Sequence, residues 1–174
     1  RVDRRQRQMC IRDRSKIISD LDIFYFKNIQ NLKICITGTN GKSTTSKIIH
    51  KILKNAGLDA RLVGNIGQPI LNEKKITKKT VFVVEISSYQ IEYSKYFKSD
   101  IAAILNIFPD HLDRHKTFSN YRKIKFKLLK NLHPGGTGLI EKNIFSNKDI
   151  KQKRTKTKII NCLLYTSDAA DDLL

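Results

Sequence analysis

Gly38-Thr39-Asn40-Gly41-Lys42-Ser43-Thr44 is the stretch on which the fold turns. An apolar run, Ile34-Cys35-Ile36, precedes it, and a helical pattern over 46–55 follows it. Strand, glycine loop and helix in that order make a phosphate-binding loop. Its glycines let backbone N–H groups curl around phosphate oxygens, and the helix N-terminus adds partial positive charge. Lys42 supplies a point charge for the outer phosphates, and the Ser43 hydroxyl is a hard ligand for magnesium.

Outward from this loop, apolar runs alternate with helical periods. A short apolar element, 23–26, lies in a mixed stretch, 15–31, that reads as the tail of a linker or a helix entering the domain. Strands are expected over 33–37, 61–63, 81–84, 101–105, 137–140 and 159–160. Helices are expected over 43–55, from Ser87 or Ser88 to about Phe97, and over 118–132. The first of these places Ile48, Ile49, Ile52 and Leu53 on one face. Continuous apolar strands alternating with helices predict an α/β fold, a mostly parallel sheet with helices on both faces. Ligands of such sheets sit beyond the carboxyl ends of the strands. The glycine loop, Glu85 and the loop after Leu105 all fall at such ends, so they are expected to converge.

The chain has 174 residues and a formal charge of +18. A charge of that size raises a nucleic-acid partner. Between 15 and 161, however, the basic residues are scattered and overwhelmingly Lys. With abundant Ile and Asn, this reads as the codon bias of an A/T-rich genome, and no Arg-aromatic pattern suited to base recognition is concentrated anywhere. No specific nucleic-acid partner is expected. No apolar run of membrane-spanning length occurs, so no membrane partner is expected either. Cys35 is the only one of the three cysteines outside the chain ends, so no disulfide or metal framework follows and the body reads as cytoplasmic. Oligomeric state is not legible.

The two ends stand apart. Codons that encode residues 4–13 include a DNA string whose reverse complement, shifted by a base, encodes residues 162–171. That DNA resembles a transposase adaptor used in sequencing libraries. Residues 1–14 and 162–174 are therefore expected to be adaptor-derived, leaving 15–161 as the biological body, cut on both sides.

Three further strings accompany the loop: Glu85-Ile86-Ser87-Ser88-Tyr89-Gln90-Ile91-Glu92, Asn106-Ile107-Phe108-Pro109-Asp110-His111-Leu112-Asp113-Arg114-His115, and Tyr121-Arg122-Lys123-Ile124-Lys125. With Gly64-Asn65-Ile66-Gly67, they resemble the central ATP-binding domain of the Mur ligase family. The resemblance covers 15–161, and its motifs fall between Gly38 and Lys125. The Glu85–Glu92 string resembles the branch that joins D-glutamate to UDP-MurNAc-L-alanine.

The resemblance implies an ATP- and magnesium-dependent ligase of bacterial cell-wall synthesis. The alanyl carboxylate would attack the γ-phosphate, and the amine of D-glutamate would then attack the acyl phosphate. Gly38, Thr39, Asn40, Gly41, Lys42, Ser43 and Thr44 would hold the nucleotide phosphates. Ser43 and Glu85 would hold a first Mg2+. His111 and Lys125, the latter carbamylated by carbon dioxide, would hold a second, so Lys42, His111 and Lys125 are the candidate catalytic residues. The Tyr-Arg-x-x-Lys spacing singles out Lys125 among neighbouring lysines, in a register one residue shorter than in some relatives. Asn65, Ser87, Gln90 and Asn106 would line the substrate path, although Ser87 and Ser88 also suit a helix cap. In the family, the uridine nucleotide is gripped by a first domain, and D-glutamate and part of adenine by a third. The resemblance covers neither, so this truncated chain is expected to be inactive alone. Another Mur-type amino-acid ligase, or a phosphate-loop nucleotide-binding module without ligase chemistry, are the competing readings.

Overall fold

The computed structural model describes residues 18–144 and the strand at 158–162. In chain order these form α1 (Asp20–Lys27), β1 (Leu32–Thr37), α2 (Lys42–Asn55), β2 (Ala60–Gly64), β3 (Val81–Glu85), α3 (Ser88–Tyr93), β4 (Ser99–Ile104), α4 (Leu112–His115), α5 (Phe118–Lys130), β5 (Leu132–Glu141), a 3-10 turn (Lys142–Ile144) and β6 (Lys158–Cys162). The strands make one sheet in the order β2-β3-β1-β4-β5-β6, and every neighbouring pair is parallel. Helices lie on both faces. On one, Phe24 of α1, Ile91 of α3 and Tyr121, Ile124 and Leu128 of α5 pack on Cys35, Phe82, Val84 and Ile104. On the other, Ile49 and Leu53 of α2 pack on Ile36, Val83, Ala103 and Leu105. This is the α/β architecture expected from the sequence.

Three local expectations change. The α2 stripe narrows: Ile48 and Ile52 are exposed, because the sheet meets only the flank that carries Ser46, Ile49 and Leu53. Helix α3 ends at Tyr93 rather than near Phe97. The buried carboxylate of Asp22, on α1, takes the N–H groups of Lys95, Tyr96 and Phe97 at 2.9–3.2 Å and the Ser94 hydroxyl at 2.8 Å. Lys127 Nζ, from α5, donates to the carbonyls of Ile91, Glu92 and Ser94. The backbone groups that would extend the helix are thus spent on partners far away in sequence. Strand β5 starts at Leu132, well before Thr137, because a register shift between Ser99 and Ile101 on β4 absorbs the Pro134-Gly135-Gly136 segment.

At the last strand, β5 pairs β6 from Thr137↔Lys158 to Glu141↔Cys162. One residue of the 162–174 stretch, Cys162, is therefore strand backbone. Residues 1–14 and 163–174 lie outside the described residues.

The order of strands sets up the site. Gly64, Glu85 and Ile36 are register neighbours across β2, β3 and β1. Gly64 has φ +108, and a Cβ there would sit 2.2 Å from Glu85 O. The missing side chain lets the chain fold over the end of β3, where Asn65 N donates to Glu85 O at 2.9 Å.

Two stability outcomes follow. Burial pushes the Asp22 carboxyl up, but its backbone and Ser94 donors outweigh that and hold it at about 2, below the ordinary 3.8. A depressed carboxyl stabilises above the unfolded value and loses that contribution as pH falls through about 4 toward 2. The difference corresponds to roughly 2–3 kcal/mol. Asp22→Asn is expected to lose a comparable amount at neutral pH, and urea unfolding at pH 7 and near pH 2 checks both. Gly64→Ala, forced into a left-handed backbone and against Glu85 O, is expected to cost about 2–4 kcal/mol in the same assay.

Candidate functional site

The loop between β1 and α2 is built by its own residues and held by the loop after β4. Gly41 takes a left-handed φ of 78°, which turns the chain into α2. Asn106 Oδ1 accepts from Thr39 N at 3.0 Å and Asn40 N at 2.8 Å, and Asn106 Nδ2 donates to Asn40 O. The Thr39 hydroxyl donates to Phe108 O, accepts from Phe108 N, and lies 3.2 Å from the Tyr121 hydroxyl. Asn106 therefore acts here as a brace of the glycine loop.

Two ammonium groups converge on one oxygen. Gly38 O accepts from Lys42 Nζ at 3.0 Å and from Lys125 Nζ at 2.8 Å. Lys42 also donates to Thr39 O. Lys125 is 1% exposed, lies over the Tyr121 ring at 4.8 Å, and donates to Thr37 Oγ1 at 3.3 Å. Burial chiefly, and the Lys42 charge next, bring its amine down to about 7, against a smaller opposing pull from Asp110. A buried lysine near 7 is available as a neutral nucleophile, which a solvated helix lysine is not.

On the other side of the loop stands Glu85, 1% exposed at the end of β3. Its carboxylate accepts from Ser43 Oγ and from Asn65 Nδ2, both at 2.9 Å. These are neutral donors. Among the described residues they bring no positive charge, and a buried carboxylate beside a serine hydroxyl is a hard-oxygen pair that a divalent cation suits. Among the described residues no three His, Cys, Asp or Glu side chains form a ready metal cage. The fit therefore rests on the hydroxyl and carboxylate together with phosphate oxygens from a ligand.

His111 opens α4 with a left-handed φ of 52°. That backbone is uncommon for a residue with a Cβ and is tolerated best by Asn, Asp and His. Its side chain is about half exposed, lies 3.4 Å from Asp110, and packs on the Tyr89 ring at 5.2 Å. Ser87 and Gln90 form a capping box at the start of α3: Ser87 Oγ accepts from Gln90 N, and Gln90 Oε1 accepts from Ser87 N. Their side chains are engaged with each other, while Asn65 is engaged with Glu85.

The structure thus brings the glycine loop, Glu85, Asn65, Asn106 and Lys125 into direct contact at one rim, with His111 joined to them through aromatic rings. Sequence reasoning missed His115. It is 1% exposed and lies between the Tyr89 and Tyr121 rings at 5.4 and 5.3 Å, with Nε2 3.0 Å from Ser88 Oγ. Burial chiefly holds its imidazole below the ordinary value. His115 ends the third quoted string, but nothing in a linear motif signals that its ring is enclosed.

Comparison with known proteins shows the family. The chain is 37% identical to a UDP-N-acetylmuramoylalanine–D-glutamate ligase of Caldicellulosiruptor bescii over 88% of this chain and 36% of that protein. It is 43% identical to the Rickettsia bellii protein of that name over 71% of this chain and 27% of the relative. A 54% identical stretch in the Zymomonas mobilis protein covers 53% and 21%. The chain thus spans about a third or less of these relatives' lengths. Among solved structures, MurF ligase from Thermotoga maritima in complex with ADP superposes with a TM-score of 0.59 at 17% identity, over 83% of this chain and 37% of that one. The UDP-N-acetylmuramate:L-alanyl-gamma-D-glutamyl-meso-diaminopimelate ligase from Neisseria meningitides superposes at a TM-score of 0.60 and 16% identity, over 88% of this chain and 53% of that one. These two carry the fold alone. The model of the Mur ligase middle domain matches residues 36–173, most of the chain, and on that match the chain belongs to the Mur ligase middle-domain family.

Proposed function

We propose that the intact protein joins D-glutamate to UDP-MurNAc-L-alanine in the bacterial cytoplasm, driven by ATP, and that this chain supplies the phosphate- and magnesium-handling part of the site. The observation that carries the reading is the shared Gly38 oxygen. It gathers the Lys42 ammonium and the Lys125 amine at a glycine loop whose opposite side carries the Ser43–Glu85 pair. Uniting a carboxylate with a triphosphate needs positive charge concentrated where both anions meet.

The alanyl carboxylate oxygen attacks the γ-phosphorus and ADP leaves, giving an acyl phosphate. The amine of D-glutamate attacks the acyl carbon, phosphate leaves, and the amine gives up a proton. Loop amides from Gly38 to Thr44 and the Lys42 ammonium hold the phosphate oxygens. Ser43 and Glu85 would hold one magnesium, and His111 and carbamylated Lys125 would hold a second; magnesium bound there would supply charge neutralisation to the transferring phosphoryl group. Lys125 reaches its ligand form when the neutral amine adds to carbon dioxide and releases a proton. Its buried position beside Lys42 favours that neutral form. Asn65, Ser87, Gln90 and Asn106 would contact the substrates. In the resting arrangement their amides and hydroxyls hold the loop, Glu85 and the α3 cap, and they are positioned to exchange those bonds for substrate contacts.

Two measurements test this. In the intact enzyme, Lys125→Ala is expected to lower ligation by about 100-fold or more, with partial rescue by short carboxylates. Labelled bicarbonate should give a carbamate carbon signal in the wild type that Lys125→Ala lacks. Near wild-type ligation by Lys125→Ala would show that another group fills this place. In the 174-residue chain, Lys42→Ala is expected to abolish Mg-ADP binding measured by calorimetry, while UDP-MurNAc-L-alanine, D-glutamate and Mg-ATP yield no product. Robust product formation by this chain would overturn the view that it supplies only part of the site.

A further inference from the structure

We propose that His115 is a positioning residue that holds His111 and Lys125 in one relative arrangement, as the middle ring of a contact chain His111–Tyr89–His115–Tyr121–Lys125. The proposal rests on the reading of His111 and Lys125 as partners at one magnesium.

The contacts are continuous. His111 packs on Tyr89 at 5.2 Å, Tyr89 on His115 at 5.4 Å, His115 on Tyr121 at 5.3 Å, and Lys125 Nζ lies 4.8 Å from the Tyr121 centroid. Three separate elements contribute: α3 carries Tyr89, α4 carries His115 with His111 at its cap, and α5 carries Tyr121 and Lys125. Tyr121 and Lys125 are four residues apart on α5, so they share a face. Tyr121 also reaches the glycine loop through Thr39. Every route from His111 to Lys125 in this set passes through the His115 ring.

Stability does not explain the imidazole. His115 is enclosed, yet its Nδ1 has no hydrogen-bond partner among the described residues, and the nearest carboxylate oxygen, Glu92 Oε2, is 3.9 Å away beside Arg114. A buried polar atom without a partner lowers stability, and an apolar ring would fill the space without that cost. What the imidazole provides is a flat spacer with a ring contact on each side and one edge tied to Ser88. The site needs such a spacer. His111 sits half exposed on a left-handed loop residue, while Lys125 comes from a different helix, and two ligands of one ion must keep a fixed separation. His115 is a positioning residue because its contacts are with the tyrosines and Ser88, not with the glycine loop.

The test uses the intact ligase with His115→Ala and His115→Phe, and His111→Ala and Lys125→Ala as controls. Product formation is followed against Mg2+ and against ATP, alongside the unfolding midpoint of each variant. His115→Ala is expected to lower kcat and to raise the half-saturating Mg2+ by about tenfold or more, with KM for ATP near wild type. His115→Phe, which keeps both ring contacts but lacks the tie to Ser88, is expected to recover only part of that loss. Wild-type kcat and Mg2+ response in His115→Ala would overturn the proposal. So would a His115→Phe enzyme no better than His115→Ala, or a loss that disappears well below the unfolding midpoint. If the controls are inactive and His115→Ala is normal, only this proposal falls. If His111→Ala and Lys125→Ala are fully active, the second-magnesium pair itself falls and this proposal with it.

Discussion

The Gly38 carbonyl oxygen is the point on which the rest of the site depends. It accepts from Lys42, four residues on in the same loop, and from Lys125, eighty-seven residues away on α5. The two cations raise each other's energy, and burial raises that of Lys125 further. Their shared acceptor offsets part of this and fixes the distance between loop and helix. An anion entering this position would meet the Lys42 ammonium, which supports the phosphate chemistry proposed here.

For Lys125 to reach that oxygen, α5 must be held against the sheet at a set height. Polar staples do this together with the apolar core. Asp22 gathers amides of 95–97, and Lys127 gathers carbonyls of the α3 end, so α1, α3 and α5 are tied at one node. Lys33, fully buried at the start of β1, donates to the carbonyls of Asn28, Ile29 and Asn31 and binds the end of α1 to the sheet. Asp22 and Lys33 are buried and Lys127 is partly buried, and each charge would be costly alone. Each is surrounded by several partners of opposite polarity, so the cost of removing any one partner is high. The apolar core sets which faces meet, and these charges set where along those faces they stop.

The glycine loop, the place of Glu85 at a strand end and the parallel character of the sheet were legible because their rules are local. A glycine pair before Lys-Ser, after one apolar run and before a helical period, specifies strand, loop and helix without reference to the rest of the chain. The end of α3 was not legible, because the residues that stop it, Asp22 and Lys127, are remote from it. The periodicity of α2 marked four apolar residues, but only contact with the sheet distinguishes Ile49 and Leu53 from the exposed Ile48 and Ile52. Asn106, Ser87 and Gln90 were read as lining residues from their motif positions. The brace and the cap that they form depend on loop geometry that spacing leaves open.

By itself the sequence determined the class of fold and the strand–glycine-loop–helix unit, and it nominated the residues proposed to carry the chemistry, because helix and strand periods, glycine turns and short motifs act over a few residues. The tertiary structure decided which of those residues touch. It set Ser43 against Glu85 and Lys125 against Gly38, and it closed His115 between two tyrosines from different helices. Those pairings join segments far apart in the chain. Their distances, and the burial that lowers Lys125, come only from the packing of helices on the sheet.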